Sequence, residues 1–500
     1  MPETTTRVPE GTGPAEQLPT DRSDERLVHG GGLRGAFDRF GRRVRGGDLG
    51  SLPVIVGLVI ISLVFYAQEP TFLSSRTLVT ITLFAAPIGI IALGVVLVLL
   101  LGEIDLSVGS VSGLAAAVLA VLVVYNDQPL WLGLLAGVGT GLAIGLLYAL
   151  LFTKVGVPSF VITLAGLLGF LGLQLWVLGD QGTVNLPPDS GLIEFTRFSF
   201  VSGVASYVLV LAAALGYGAA LLWGIRRRTA AGLSAPSYTS VAFKTGLLAA
   251  GLLYLTYYLN IDRGLGYLPL AFVGLVVVMD LLLRKSRWGR HVFAVGGNVE
   301  AARRSGIRVT RVYFSVFALT GFFAALGGLL AAGQLTSVSQ ASGGTDTNLT
   351  AIAAAVIGGT SLFGGRGSAY AALLGIFVLQ SIQTGLNVVG VDSSVRYMVT
   401  GAVAAVVYVT SKIYRKRKDN LALGNLTGAM VFQSCIPTAV GLVFTPWVLN
   451  FTAMLSVWLC LGSSLLLYLG IRFSKTVNPL IFGIGGVFYL IFVWYALSQI

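Results

Sequence analysis

The feature that most constrains this chain is a series of long apolar runs without charge: residues 52–67 and 78–101 extend for 16 and 24 positions with no acidic or basic side chain. A helix needs roughly 20 residues to cross the hydrocarbon layer, and these runs bracket that length. Lipid offers the backbone no hydrogen bonds, so a spanning segment is either a helix or part of a closed barrel. Barrel strands would show about ten alternating residues, and these runs do not alternate. The expected fold class is therefore an all-α polytopic membrane protein. With 55% hydrophobic and only 11% charged residues, a water-soluble fold is excluded.

Apolar runs predict spans near 52–67, 78–101, 106–125, 129–153, 157–178, 204–225, 245–261, 266–283, 310–334, 345–363, 367–390 and 394–411. Positive loops stay in the cytoplasm, which tests the count. With twelve crossings, Arg42, Arg43, Arg45, Lys154, 226–228, 284–311 and 412–418 all fall on one side. The segment 345–363 is the least regular, with Gly358, Gly359 and several polar residues. It is read either as a full crossing, which the charge rule favours, or as a broken helix. In the fourth span Gly133, Gly137, Gly141 and Gly145 recur every fourth residue and line one face. Small residues there let backbones approach closely in lipid.

Residues 1–50 mix Pro, Gly and charges of both signs without an apolar face, and are expected to form a disordered cytoplasmic tail. A cleavable signal would place its apolar core nearer the start, so the first run is expected to be a retained span. The net charge of +12 does not indicate nucleic acid, because no soluble domain interleaves bases with aromatics. The two cysteines, Cys435 and Cys460, lie in apolar segments and give neither a disulfide framework nor a metal site. His29 and His291 lack partners at a membrane face and read as solvated bystanders. No nucleophile, metal cluster or acid–base pair is assembled, so the chain is not expected to be an enzyme.

Residues 102–110 read GEIDLSVGS and place Glu103 and Asp105 within three residues of hydrocarbon. A carboxylate at mid-membrane costs about 2.5 to 3.5 kcal/mol, so both acids need water, a cavity or a polar partner. Two readings stand side by side. Asp105 or Ser107 caps a helix beginning at Leu106, or the segment lines a water-filled gap. Farther on, residues 298–304 follow two glycines and form a short polar helix with flanking arginines, too short to span. Tied at both ends to spans, it can pass on the motion of a partner pressed against it.

GEIDLSVGS resembles the GIDLSVGS signature of the ribose and xylose type permeases of bacterial ABC importers. Residues 287–307, RWGRHVFAVGGNVEAARRSGI, resemble the cytoplasmic segment of that family that holds the coupling helix. Residues 349–368, LTAIAAAVIGGTSLFGGRGS, and 157–164, VPSFVITL, are similar to two more of its motifs. Four motifs in order cover roughly residues 50–417. The resemblance implies an ABC permease of about twelve helices that moves a monosaccharide, xylose- or ribose-like, across the inner membrane. It implies coupling to the ATPase through Gly289, Arg290, Gly296, Gly297, Asn298, Ala301, Ala302, Arg303, Ser305 and Gly306. It implies a translocation path along Asp105, Ser107, Gly109, Ser110, Pro158, Phe160, Thr163, Gly358, Gly359 and Thr360. The implied partners are an ABC ATPase subunit, a periplasmic or lipid-anchored sugar-binding protein, a second permease copy and membrane lipid. No metal and no cofactor is expected on this chain. It has no G-x-x-x-x-G-K-[ST] loop, so ATP is hydrolysed by the partner. The polar stretch 179–201 is expected outside, where a binding protein docks. Thr347-Asn348-Leu349-Thr350 stands where the family carries an acidic LD, and no substrate contact is assigned there.

From Asp419 the character changes. Residues 419–434 resemble part of the second repeat of sodium/calcium exchangers, and three further spans are expected near 427–445, 448–471 and 476–498. The alternative function, a secondary cation exchanger, needs hard oxygen ligands in the membrane. No Asp or Glu follows Asp419, so this fragment is expected to be inactive. The expected domains are 1–50, 51–418 and 419–500.

Overall fold

In a computed structural model of the chain, residues 52–179, 182–233 and 235–390 are described. The expected tail 1–50, the span near 394–411 and the exchanger-like fragment lie outside them. Helix α1 (Leu52–Gln68) leads through a single turn, Pro70–Leu73, into α2 (Ser75–Leu100). The Ser74 hydroxyl starts α2 by accepting the Thr77 amide at 3.3 Å. Helix α3 (Val108–Ala120) continues through a wide turn, Val121–Tyr125, and α4 (Leu130–Leu150) through Leu151–Val155. Gly156, at φ +81°, makes the sharp reversal into α5 (Ser159–Leu178), behind Pro158. Then follow strand β1 (Thr183–Asn185), short turns at Gly191–Ile193 and Glu194–Phe198, β2 (Phe200–Val201), α6 (Gly203–Ala230) and α7 (Tyr238–Leu259). Strand β3 (Leu265–Gly266) precedes α8 (Tyr267–Lys285), α9 (Arg287–Gly297), α10 (Val299–Arg304) and α11 (Val309–Leu335). Strand β4 (Ser337–Ser339), α12 (Thr345–Ile357) and α13 (Tyr370–Val388) complete the described chain.

Nine of the described helices are long and apolar enough to cross a membrane. Lys154, Arg226 near the end of α6, Arg284 near the end of α8, and Arg303 in α10 all fall at one end of the bundle, called here the basic end. At the opposite end β1 pairs antiparallel with β4, Val184 facing Val338, and β2 with β3. These ladders pin the 182–201 segment to the ends of α11 and α7.

Helix α2 is the axis, enclosed by α11, α13, α12 and α8, and its Ile90, Leu93, Leu97 and Leu99 are fully buried. Helix α11 crosses between α2, α3 and α4. Gly141 and Gly145 of α4 lie directly against the backbone of Gly321 and Phe317 in α11, and Gly137 lies against Ala115 of α3. An added methyl at 141 or 145 would strike a carbonyl, so the glycine face sets the helix separation. In lipid that close approach replaces the hydrophobic effect as the source of packing energy. By contrast α6 and α7 pack chiefly on each other and leave Trp223, Leu247 and Tyr254 exposed on their outer faces.

The segment 345–363 is not one spanning helix. Its helix α12 has 13 residues, about 20 Å at 1.5 Å per residue, against roughly 30 Å of hydrocarbon. Gly343 and Asn348 lie against Gly109, whereas Gly364 lies against Gly102 at the basic end. The chain thus enters from β4 in extended form and finishes the crossing as a half-length helix. The stretch before α12 packs locally on protein, Gly343 against Gly109 and Gly113 of α3 and the Ser339 and Ser342 carbonyls on Gln174 of α5, where irregular backbone is tolerated.

Candidate functional site

The connection between α2 and α3 folds into a buried polar centre. Asp105 is almost fully enclosed and its Oδ1 accepts the Ser107 amide and the Ser107 hydroxyl, each at 2.8 Å. The Tyr148 hydroxyl of α4 donates to Ser107 Oγ at 2.7 Å, completing a relay from α4 to the carboxylate. Ser107 occupies the N-cap of α3, which begins at Val108, yet its side chain makes no capping bond. The capping reading therefore holds only indirectly, with Asp105 organising the turn before the helix. Glu103 receives the Ser159 hydroxyl at 2.5 Å and a hydrogen bond from Tyr313. One carboxylate thus joins the starts of α5 and α11. Both acids sit in the connection, outside the spanning helices. Burial pushes each carboxyl above the ordinary carboxylate range, against the hydrogen bonds from Ser107 in one case and from Ser159 and Tyr313 in the other.

Neighbouring segments are tied to this centre through backbone carbonyls. Ser110 donates to Leu167 at 2.8 Å, Thr163 reaches the Ile104 carbonyl at 3.4 Å, and Asn348 donates to the Leu106 carbonyl. Deeper in the bundle the Gln174 amide donates to the carbonyls of Ser339 and Ser342, at 3.1 and 2.9 Å. Its Oε1 is buried without a partner beside Gly113. Next to that point a cavity of about 190 Å³ is lined by Pro87, Ile91, Ser112, Gly113, Ser342 and Gly343.

The second assembly lies at the basic end. Ser286 accepts the Gly289 amide at 3.0 Å to start α9, and Asn298 accepts the Ala301 amide at 2.9 Å to start α10. Trp288 Nε1 donates to Ser315 at 2.8 Å, anchoring α9 on α11. Gly289 is seated against the Leu283 backbone and Gly296 against the Leu100 carbonyl. That same carbonyl accepts the Gly365 amide at 2.9 Å, while Gly364 adjoins Gly102 and the Gly296 carbonyl. Three stretches distant in sequence, 100–102, 296–297 and 364–365, thus meet backbone to backbone. Asp280 adds a second tie, pairing with Arg284 at 2.7 Å while Ser368 bridges the two at 3.3 Å.

The twenty residues singled out in the sequence divide accordingly. Asp105, Ser107, Gly109, Ser110 and Thr163 lie together in the buried centre, with Phe160 part-buried and Pro158 exposed at the start of α5. Gly358, Gly359 and Thr360 are not with them. Gly358 packs on Ala371 of α13, and Thr360 lies by Gly367. None of these ten lines the 190 Å³ cavity. Along 289–306, Arg290, Gly297, Asn298, Ala301, Arg303, Ser305 and Gly306 are exposed, whereas Gly289, Gly296 and Ala302 face inward. Arg303 pairs with Glu300 at 3.3 Å. The helical character of 287–297 was not foreseen, nor were Tyr148, Ser159, Gln174 and Tyr313 as partners. Gln174 carried a usable signal, being the one carboxamide between 157 and 178. No group of three or more His, Cys, Asp or Glu is close enough among the described residues to hold a metal.

Comparison with known proteins gives a consistent result. A family model described as "Branched-chain amino acid transport system / permease component" matches residues 77–408. The chain is 34% identical over 351 residues to the xylose transport system permease protein of Escherichia coli (strain K12), covering 70% of this chain and 88% of that one. It is 30% identical over 357 residues to the ribose import permease protein of Bacillus subtilis (strain 168), covering 71% and 91%. It is 31% identical over 379 residues to the galactose/methyl galactoside import permease protein of Escherichia coli (strain K12), covering 73% and 94%. No solved structure matches the chain.

Proposed function

Because the chain belongs to the permease family of ABC importers, we propose that it is the multi-pass inner-membrane subunit of a monosaccharide importer, with its basic end and N-terminus in the cytoplasm. The xylose, ribose and galactose substrates named for its relatives support a pentose or hexose cargo over the amino acids in the family description. A separate ATPase docks on the exposed face of α9 and α10, a sugar-binding protein delivers cargo at the opposite end, and two permease copies pair in the lipid. The chain itself binds no nucleotide and no cofactor. The matched residues stop at 408, and the fragment 419–500, with no acid after Asp419, is read as a transport-inactive appendage.

One observation carries this reading: the shared Leu100 carbonyl, which receives the Gly365 amide at 2.9 Å and seats Gly296. Motion of the lever at Arg290–Arg303 is thereby delivered to the connection holding Glu103 and Asp105, and Tyr313 and Ser159 carry it to α11 and α5. Packed interfaces of this kind shift between discrete arrangements instead of deforming smoothly. Reconstitution with its ATPase and binding protein tests the reading. ATP-dependent uptake of labelled D-xylose, D-ribose or D-galactose that needs both partners is expected. Uphill uptake on an ion gradient without any ATPase would overturn it.

A further inference from the structure

Among the described residues, every Lys and Arg but three lies at the basic end, as the bias toward cytoplasmic positive charge requires. The three exceptions are Arg76 in the first turn of α2, Arg197 in the turn before β2 and Arg263 between α7 and β3. All three line one cavity of about 330 Å³ at the opposite end, together with Asp262, Phe84 and Gln334. Arg76 and Arg197 have no carboxylate partner among the described residues, and Arg263 reaches only Asp262, at 3.9 Å. Two of the guanidiniums are steadied by rings, Arg197 lying 5.8 Å from the centre of Phe198 and Arg263 5.8 Å from that of Phe200. Gln334, near the end of α11, is buried, and its carboxamide has no hydrogen-bond partner among the described residues.

The geometry points to a monosaccharide subsite within the single permease subunit, the first station of the cargo after delivery; this rests on the proposed function. The chemistry of the wall fits a polyol. Planar guanidinium forks donate in pairs to adjacent hydroxyls, Asp262 accepts, and Gln334 does both. Phe84 offers an apolar face to the ring carbons. A simple anion site would not place Asp262 in the same wall. A water occupies about 30 Å³ of liquid, so a pentose of about ten heavy atoms fits the space with room for bridging water. Volumes from about 300 Å³ upward are usual for small-molecule sites. Phe84, Gln334 and Leu335 also line the 190 Å³ cavity beside Gly113 and Ser342, so the two chambers share a wall.

The test uses the full chain in nanodiscs, without ATPase or binding protein, and radiolabelled D-xylose, D-ribose and D-galactose as probes. Saturable millimolar binding of at least one sugar is expected. Arg197→Ala, Arg263→Ala and Gln334→Ala should each weaken it by about tenfold, the loss of one hydrogen bond to a fixed partner. Lys244→Ala, at an exposed site away from the cavity, should not change it. If the complete complex imports sugar while the chain alone binds none, or binds it equally well in all variants, the subsite is wrong and the proposed function stands. Binding of phosphate or acetate without any sugar also overturns it. In a parallel pull-down with the binding protein added, loss of its association in the Arg197, Arg263 or Gln334 variants while sugar binding stays intact also overturns it, because the cavity would then be a docking socket. Failure of the complete complex to import any sugar removes the proposed function and the subsite together.

Discussion

Two connections at the basic end of the bundle do opposite things with charge. The stretch between α2 and α3 buries Asp105, half-buries Glu103, and satisfies both with hydroxyl groups from Ser107, Ser159 and Tyr313. The stretch between α8 and α11 exposes its bases, Arg287, Arg290, Arg303, Arg304 and Arg308, and ties only its glycines, Trp288 and a few apolar side chains to the bundle. A buried carboxyl without its donors is costly, so the first connection keeps its hydrogen-bond partners together and moves with them as a unit. Exposed arginines on a short helix hold little folding energy and remain available to a partner. In the proposed function the first connection is the gate and the second the lever, and their backbones meet at the Leu100 carbonyl.

The largest expected effect falls on the gate. Asp105→Ala strands the Ser107 amide and hydroxyl and should destabilise the protein by about 1–3 kcal/mol, read as a lower thermal midpoint in detergent. Asp105→Asn keeps an oxygen for Ser107 and removes a buried acid, so its midpoint should match or exceed that of the unaltered chain. Equal losses in both variants would show that charge, and not the turn, is what the site requires. Ser159→Ala should cost less, about 1 kcal/mol, because Tyr313 still serves Glu103. On the lever, Arg290→Glu should leave the midpoint within about 0.5 kcal/mol yet reduce co-purification with the ATPase. A marked loss of stability there would erase the distinction between the two connections.

Much of this plan was legible in the residues. Charge-free runs and the clustering of Arg and Lys mark the helices and the basic end, because lipid leaves a backbone few choices. The GEIDLSVGS and 287–307 segments stood out for the same reason, as polar residues in an apolar chain. What could not be read was who satisfies whom. Tyr148 and Tyr313 sit at ordinary helix positions, and nothing local marks them as partners of residues 41 and more than 200 positions away. For 345–363 the residues left a full crossing and a broken helix both open, because the contacts of its polar half with α3 and α5 are a tertiary fact. The Leu100, Gly296 and Gly365 junction is made of backbone, which leaves no side-chain signature beyond the glycines themselves.

Paired assays on Gly296→Val address the central claim most directly, with ATP hydrolysis and sugar uptake measured in the same proteoliposomes containing the ATPase and the binding protein. The added side chain would strike the Leu100 carbonyl and break the contact between lever and gate. Hydrolysis that persists while uptake falls by about tenfold or more, equivalent to about 1.4 kcal/mol of lost coupling, is the predicted result. Uptake at the unaltered rate would contradict the account, since the lever would then reach the gate by another route.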